Sequence, residues 1–350
     1  MITKILDDNI ISLIPEESDD LLILRRIINT GDRIVGTTTR VIKQDKEYAR
    51  PDRGERIKIR IALDVEKISL DNVLDRLRVT GKIVETNNES VPHGSHHSFM
   101  IKVDDGFNLI KKHWTPIEKK LIQSNEQKYG FLLIAIDIAD CGIGRLKGTH
   151  LQLTPNIYSG ASGKQYKSNF DIEKFFDVIQ KAVFSSLKEG DRIIIFGPGE
   201  TKKKFSNYLQ KTSIGQKHEI KVIEGIDSGG EDGIYTFTKS QSMKEIMAES
   251  KLAKISSIID EIMYRAHKKS KKFTMGFDEI KRANQYGAID SLVFSEKIIQ
   301  TEDEEKIIEF LNDAETKGAK AYSVDSTTDV GLRVTGLGGI VSLLRFPVEG

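Results

Sequence analysis

The densest grouping of residues that could do chemistry lies between Arg40 and Arg60. Eight cations (Arg40, Lys43, Lys46, Arg50, Arg53, Arg56, Lys58, Arg60) stand there against four acids (Asp45, Glu47, Asp52, Glu55), with Tyr48 among them. That local excess is large for a chain whose formal net charge is +1. Cations neutralise phosphates and an exposed ring stacks on a splayed base. On a loop between strands, the two together suit a nucleic-acid backbone. The competing reading is a solvated hairpin carrying its charges outward, which charge runs more often are.

Other groupings fit their motifs less well. Ile195-Phe196-Gly197-Pro198-Gly199-Glu200 has the look of a dinucleotide fingerprint but lacks its third glycine and partner acid. Lys202, Lys203 and Lys204 then fall in the first turn of a helix, against its dipole, which points weakly to an anionic partner there. Ser159-Gly160-Ala161-Ser162-Gly163-Lys164-Gln165 resembles a phosphate loop. Tyr158 occupies the place of its first glycine, however, and Gln165 that of the magnesium-binding Ser or Thr. His93, His96 and His97 could gather a metal, but no Glu or Cys accompanies them at useful spacing. Cys141 is the only cysteine, which excludes an internal disulfide and a Cys-based zinc site. There is no nucleophile-elbow pattern and no prominent pair of carboxylates.

The elements that must position these residues change character along the chain. At roughly 150 residues per domain, 350 residues suggest two or three domains. With 38% hydrophobic and 30% charged residues the chain can build real cores. Up to about residue 110 the pattern is mostly period two: Ile57 to Val65 alternates, and Val79 to Val84 and Phe99 to Val103 read as further strands of a small barrel or sandwich. One helix is expected there, from Ser69 as N-cap to Arg76 through Leu70, Val73, Leu74 and Leu77. Thr115 to Lys128 reads as a helix with Pro116 in its first turn.

Next come a buried strand at Phe131 to Ile138, helix Asp171 to Leu187, strand Arg192 to Phe196, helix Thr201 to Lys211 and strand Glu219 to Ile223. Together they form an α/β domain with a mixed sheet. A Gly-rich segment from Asp227 to Gly233 precedes one long helix from about Ser242 to Lys269, expected to bridge the second and third domains. Helix Phe277 to Gln285, strand Ala288 to Phe294, helix Asp303 to Thr316, strand Ala319 to Val324 and a strand near Ile340 to Phe346 complete an α/β/α sandwich. The predicted fold is thus multi-domain α+β. Acidic residues appear by position 7 and no apolar run is long enough for a signal peptide or a bilayer span, so a cytoplasmic protein without membrane contact is expected.

Six stretches in order resemble the Pelota family of ribosome-rescue factors. They are Asp19-Asp20-Leu21-Leu22-Ile23-Leu24 with Ile28 and Gly31-Asp32; Thr38-Thr39-Arg40; Leu77-Arg78-Val79-Thr80-Gly81-Lys82-Ile83; and Gly94-Ser95-His96-His97-Ser98-Phe99. The last two are Ser228-Gly229-Gly230 with Gly233-Ile234, and Gly336 to Pro347. The resemblance covers essentially the whole chain. It implies an Sm-like β-barrel over 1–124, a central release-factor-like α/β domain with a mixed sheet over 125–246, and a C-terminal α/β/α sandwich over 247–350.

The resemblance further implies a factor that enters the vacant A site of stalled ribosomes. Its partners would be an elongation-factor-like GTPase and an ABC-type ATPase that helps to split the subunits, and it would act as a monomer. The first domain would probe mRNA through Arg40, Lys43, Lys46, Tyr48, Arg50, Arg53 and Arg56. The second would mimic a tRNA stem and face the GTPase with Lys164, Lys167, Pro198 and Gly199, where the family's basic loop is reduced to two lysines and its Pro-Gly-Phe turn reads Pro198-Gly199-Glu200. The third would dock the ATPase and the ribosomal stalk base. In place of the His-containing turn near the family's C-terminus stands Ser326-Thr327-Thr328. Termination factors of the same superfamily release peptide through Gly-Gly-Gln, which this sequence lacks; Gly163-Lys164-Gln165 is the nearest approach. Rescue without peptide release is therefore expected, with no cofactor. The alternative is an endoribonuclease of the first domain using a divalent metal held by Asp45, Glu47, Asp52 and Glu55.

Overall fold

The computed structural model describes residues 1–42, 55–71, 75–123, 130–160 and 171–348. It divides into two units, Met1–Asn125 with Glu296–Ala321, and Glu126–Ser295 with Tyr322–Gly350.

The first unit opens with β1 (Ile2–Asp7), β2 (Ile10–Ile14), α1 (Ser18–Ile27), β3 (Arg33–Ile42), β4 (Glu55–Asp71), β5 (Arg76–Thr86), β6 (His96–Ile101), β7 (Phe107–Ile110) and α2 (Pro116–Gln123). Its strands form one sheet in the order β1-β2-β7-β3-β4-β5-β6, with antiparallel neighbours throughout. Ile34, Ile59, Ile61, Val79, Phe99, Phe107 and Leu109 point from these strands into a single core. Two register shifts kink β4, between Ala62 and Leu63 and between Val65 and Lys67. Gly81 lies opposite the second, where a Cβ would stand 1.8 Å from the Asp64 carbonyl oxygen; only glycine admits that approach.

The helix expected from Ser69 to Arg76 does not form. Ile68, Ser69, Leu70 and Asp71 pair with Val79, Arg78, Leu77 and Arg76 as the far end of the β4–β5 hairpin. Short apolar runs satisfy both periods. Here Ile68 and Leu70 pack on the core at period two, and the paired strand satisfies their backbone groups. The helix near the start of the chain is α1 instead. Glu17 and Asp20 form a capping box at its N-terminus, and Leu21, Leu24 and Ile27 are fully buried on its inner face.

Arg25 and Arg26 of α1 are also buried, at 4% and 7% exposure. Their partners lie on the segment that joins this unit from the far end of the chain, α10 (Ile298–Thr301) and α11 (Glu304–Thr316) in the order of the whole molecule. Arg25 is bonded to Glu304 and Glu305, while Arg26 donates to Asn312 Oδ1 at 2.9 Å and to Glu315 at 2.5 Å. A third buried cation, Lys111, meets Asp32 at 2.7 Å and Glu118 at 2.9 Å, tying β7 to α2 and to the loop after α1.

The second unit begins with β8 (Phe131–Ile136), β9 (Asp140–Lys147), β10 (His150–Leu153), β11 (Ile157–Tyr158), α3 (Ile172–Ser186), β12 (Arg192–Phe196), α4 (Thr201–Gln210), α5 (Ser213–Lys217) and β13 (Ile220–Val222). The sheet order is β10-β9-β8-β12-β13, with β11 on β9. It is mixed: β12 runs parallel to β8 and β13, and β9 is antiparallel to β8. Every residue of β8 is buried, because Leu132, Ile134 and Ile136 face one core with α3 and α4, and Phe131, Leu133 and Ala135 face another.

Continuing, α6 (Gly230–Lys239), α7 (Gln241–Ile246), α8 (Lys251–His267), β14 (Phe273–Met275), α9 (Phe277–Gln285), β15 (Ile289–Ser295), β16 (Lys320–Val324), α12 (Asp329–Gly336) and β17 (Ile340–Leu344) complete the chain. The last four strands are ordered β14-β17-β15-β16. The single helix expected from Ser242 to Lys269 is two helices, because Ser240 caps α7 and the buried Ser250 caps α8 through Ala253 N. The Gly-rich segment is not all loop. Gly230 starts α6 against β9, where a Cβ on Gly142 would come within 2.3 Å of the Gly230 carbonyl carbon. Among the described residues no helix is long and apolar enough to cross a membrane.

Candidate nucleic-acid interface

The β3–β4 hairpin sets the geometry of the basic segment. Its register pairs Thr37 with Arg60, Thr39 with Lys58 and Val41 with Arg56. All six residues are exposed, while Ile57, Ile59 and Ile61 alternate with them toward the core. Arg56, Lys58 and Arg60 therefore stand in one outward row at every second position. None makes an ion pair among the described residues, so their charge is open to solvent. Asn87 pins the end of the row: its Oδ1 accepts from Arg60 N at 2.9 Å, and its own N–H donates to Arg60 O.

Arg40 points the other way. It pairs with Ile57 on the inner face, and its Nη1 donates to Ser95 Oγ at 3.2 Å. Beside it Thr38 Oγ1 and His97 Nε2 are 3.1 Å apart. Burial, and then the neighbouring Arg40 charge, hold the His97 pKa below the usual imidazole value, so the ring is uncharged at neutral pH. Of the seven residues predicted to touch RNA, Arg40 and Arg56 are thus placed on opposite faces. Lys43, Lys46, Tyr48, Arg50 and Arg53 lie outside the described residues, as do Asp45, Glu47 and Asp52 of the alternative metal site. Lys58 and Arg60 belong to the basic grouping but not to the seven residues the resemblance implies as contacts; the same period-two alternation that predicts the strand places them beside Arg56.

Among the described residues the three neighbouring histidines each face a different partner. His93 Nδ1 bonds Val84 O at 2.9 Å, His96 Nε2 faces Glu66 at 3.1 Å, and His97 faces Thr38. Each imidazole has its own partner on a different strand or face.

In the second unit Lys164 and Lys167 lie outside the described residues. Pro198 and Gly199 form the turn between β12 and α4, with Gly199 exposed. The lysines after that turn are largely spent within the chain. Lys202 is 4% exposed; its ammonium donates to Gly197 O at 2.9 Å and Gly199 O at 2.8 Å and meets Glu224 at 2.9 Å. Lys203 pairs with Glu200 and Glu224. The sequence hint of an anionic partner at this helix end is met for these two by the chain's own carboxylates and carbonyls, which outweigh a dipole penalty of a few tenths of a kcal/mol.

Comparison with known proteins agrees with this architecture. A family model described as the Pelota N-terminal domain matches residues 2–126, and one described as eRF1 domain 3 matches residues 252–348. The chain is 66% identical over 349 residues to a pelota homolog of Nitrosopumilus maritimus, covering 100% of each chain. It is 46% identical over 346 residues to one of Cenarchaeum symbiosum, covering 99% of each. Its fold resembles the crystal structure of the Thermoplasma acidophilum Pelota protein with a TM-score of 0.66, at 22% identity, over 99% of this chain and 100% of that one.

Proposed function

The chain belongs to the Pelota family, and from that premise we propose that it recognises stalled ribosomes through the vacant A site and promotes their rescue and subunit dissociation. A translational GTPase delivers it and an ABC-type ATPase assists the splitting. It acts as a monomer in the cytoplasm, through an mRNA-probing domain (1–124), a GTPase-facing domain (125–246) and an ATPase-docking domain (247–350). The observation that carries this reading is the outward row Arg56, Lys58 and Arg60 on a Pelota N-terminal domain, three cations without an acid directly after a segment, 40–55, that adds five cations against four acids. Cations at every second residue on the outer face of β4, without ion pairs among the described residues, match a run of phosphates. Pro198 and Gly199, with Lys164 and Lys167, face the GTPase. Rescue proceeds without peptidyl-tRNA hydrolysis, a reading supported by a sequence free of Gly-Gly-Gln.

The test is a splitting assay on ribosomes stalled on a truncated message, with the GTPase and ATPase supplied. The wild-type chain is expected to split them and leave peptidyl-tRNA intact. The R56E/K58E/R60E variant is expected to lose splitting at least tenfold while melting like the wild type. Splitting unaffected by charge reversal, or peptide released by the wild-type chain, overturns the reading. Message cut by the chain with magnesium or manganese, and spared when a chelator is present, would establish the nuclease alternative instead.

A further inference from the structure

The second unit carries a basic corner that the reading above does not use. Where α8 ends and the chain turns into β14, residues 265–272 read Arg-Ala-His-Lys-Lys-Ser-Lys-Lys, five cations with no acid. Lys268, Lys269, Lys271 and Lys272 are all exposed, and none makes an ion pair among the described residues. A helix dipole favours cations in the last turn but fades within it. That accounts for Arg265 and Lys268, and not for Lys269, Lys271 or Lys272, which lie beyond the helix.

The turn is built to hold these charges in place. Ser270 N donates to Arg265 O and Lys269 N to Ala266 O, closing the helix with a residue in the left-handed region. That residue is Lys269, at φ +53°, where glycine is the unstrained choice and a side chain costs about 1 kcal/mol. Arg265 locks the turn from inside, pairing with Glu261 at 2.7 Å and donating to Lys272 O at 2.8 Å. Lys272 O also accepts from Leu344 N at 3.1 Å, which anchors the turn to β17. On the last turn of α8, Tyr264 is exposed and Lys268 Nζ lies 5.8 Å from its ring centre.

From this geometry we propose that the α8–β14 corner is a second RNA-binding site, which grips a phosphate backbone with Lys268, Lys269, Lys271 and Lys272 and stacks a base on Tyr264. Charge complementarity names the occupant. Four flexible ammonium groups beside one open aromatic face match alternating phosphates and bases, whereas lysine is depleted at protein–protein interfaces. A strained lysine where glycine would relax the turn also fits a position chosen for its charge. The inference stands on the corner's own geometry and deepens the ribosomal reading by giving the C-terminal domain a direct RNA contact.

The full chain is titrated with a fluorescein-labelled single-stranded RNA by anisotropy at several KCl concentrations. The K268E/K269E/K271E/K272E variant is expected to bind at least tenfold more weakly at low salt. Its plot of log K against log salt should flatten by about two to three units, from four lost contacts at roughly 0.7 each. The corresponding fourfold Lys→Arg variant keeps both. Lys269→Gly separates charge from structure: it should melt no lower than the wild type yet bind RNA more weakly. Affinity and slope unchanged in the fourfold Glu variant overturn the proposal. So does a variant that loses binding to phosphatidylserine vesicles and not to RNA, which would make the corner a lipid site. A chain that splits no stalled ribosomes yet shows the corner-dependent slope defeats the rescue reading and leaves this site standing; splitting with no such slope does the reverse.

Discussion

Two sets of cations in the first unit meet opposite fates. Arg25 and Arg26 sit on α1 at 4% and 7% exposure, each bonded to carboxylates or an amide about 280 residues away in sequence. Arg56, Lys58 and Arg60 sit on β4, exposed and without ion pairs among the described residues. By charge alone the two sets are alike. The difference is the partner: a guanidinium consumed by its own chain holds the fold, and one left in water is available to a ligand. Lys202 and the α8–β14 corner repeat the contrast in the second unit, where one lysine turns inward onto two carbonyls and four others remain outside.

Breaking a buried pair is the sharpest test of this contrast. Arg26→Ala strands Glu315 and Asn312 and should lower the stability of the first unit by about 3–5 kcal/mol in urea unfolding. Arg60→Ala should stay within about 0.5 kcal/mol. Equal losses would mean that the α1 arginines are not consumed as described. Lys202→Met comes next, with an expected cost of about 2 kcal/mol, since it leaves Gly197 O and Gly199 O without a donor; an unchanged melting curve would make Lys202 a surface charge after all.

The smallest effect is on pH. His97 titrates lower in the folded chain than in the unfolded one. The unfolded state therefore binds more protons through the window that runs downward from the ordinary imidazole value. Stability should be complete at pH 7.5 and fall as the pH drops below about 6.5. Thermal melts between pH 7.5 and 5 should show the decline, and His97→Gln should flatten it. A decline of the same size in that variant would trace it to other groups.

Much of the architecture was legible because local pattern and tertiary packing agree. Arg192–Phe196 and Phe277–Gln285 fall where apolar runs and period 3.6 place them, and Asp171 caps its helix as its type suggests. Legibility failed where two periods coincide, as at Ile68 to Val79, and where a polar cap interrupts an apolar pattern, as Ser250 does between α7 and α8. It failed at α1 because two of the seven buried residues of that helix are arginine, a residue that reads as solvent-facing until its partners on α11 are known. In the candidate site the outward row follows from alternation alone. The inward turn of Arg40 does not, because Ser95 and His97, which neighbour it, come from another strand and its approach.

The pairing of α1 with α11 bears on how the molecule can be dissected. A fragment stopped near residue 125 would keep the whole seven-stranded sheet but shed Glu304, Glu305, Asn312 and Glu315. Two guanidinium groups would then be laid bare on its flank, adding fresh positive charge to a piece meant to report on the hairpin. RNA retained by such a truncated surrogate would overstate what the intact chain can hold.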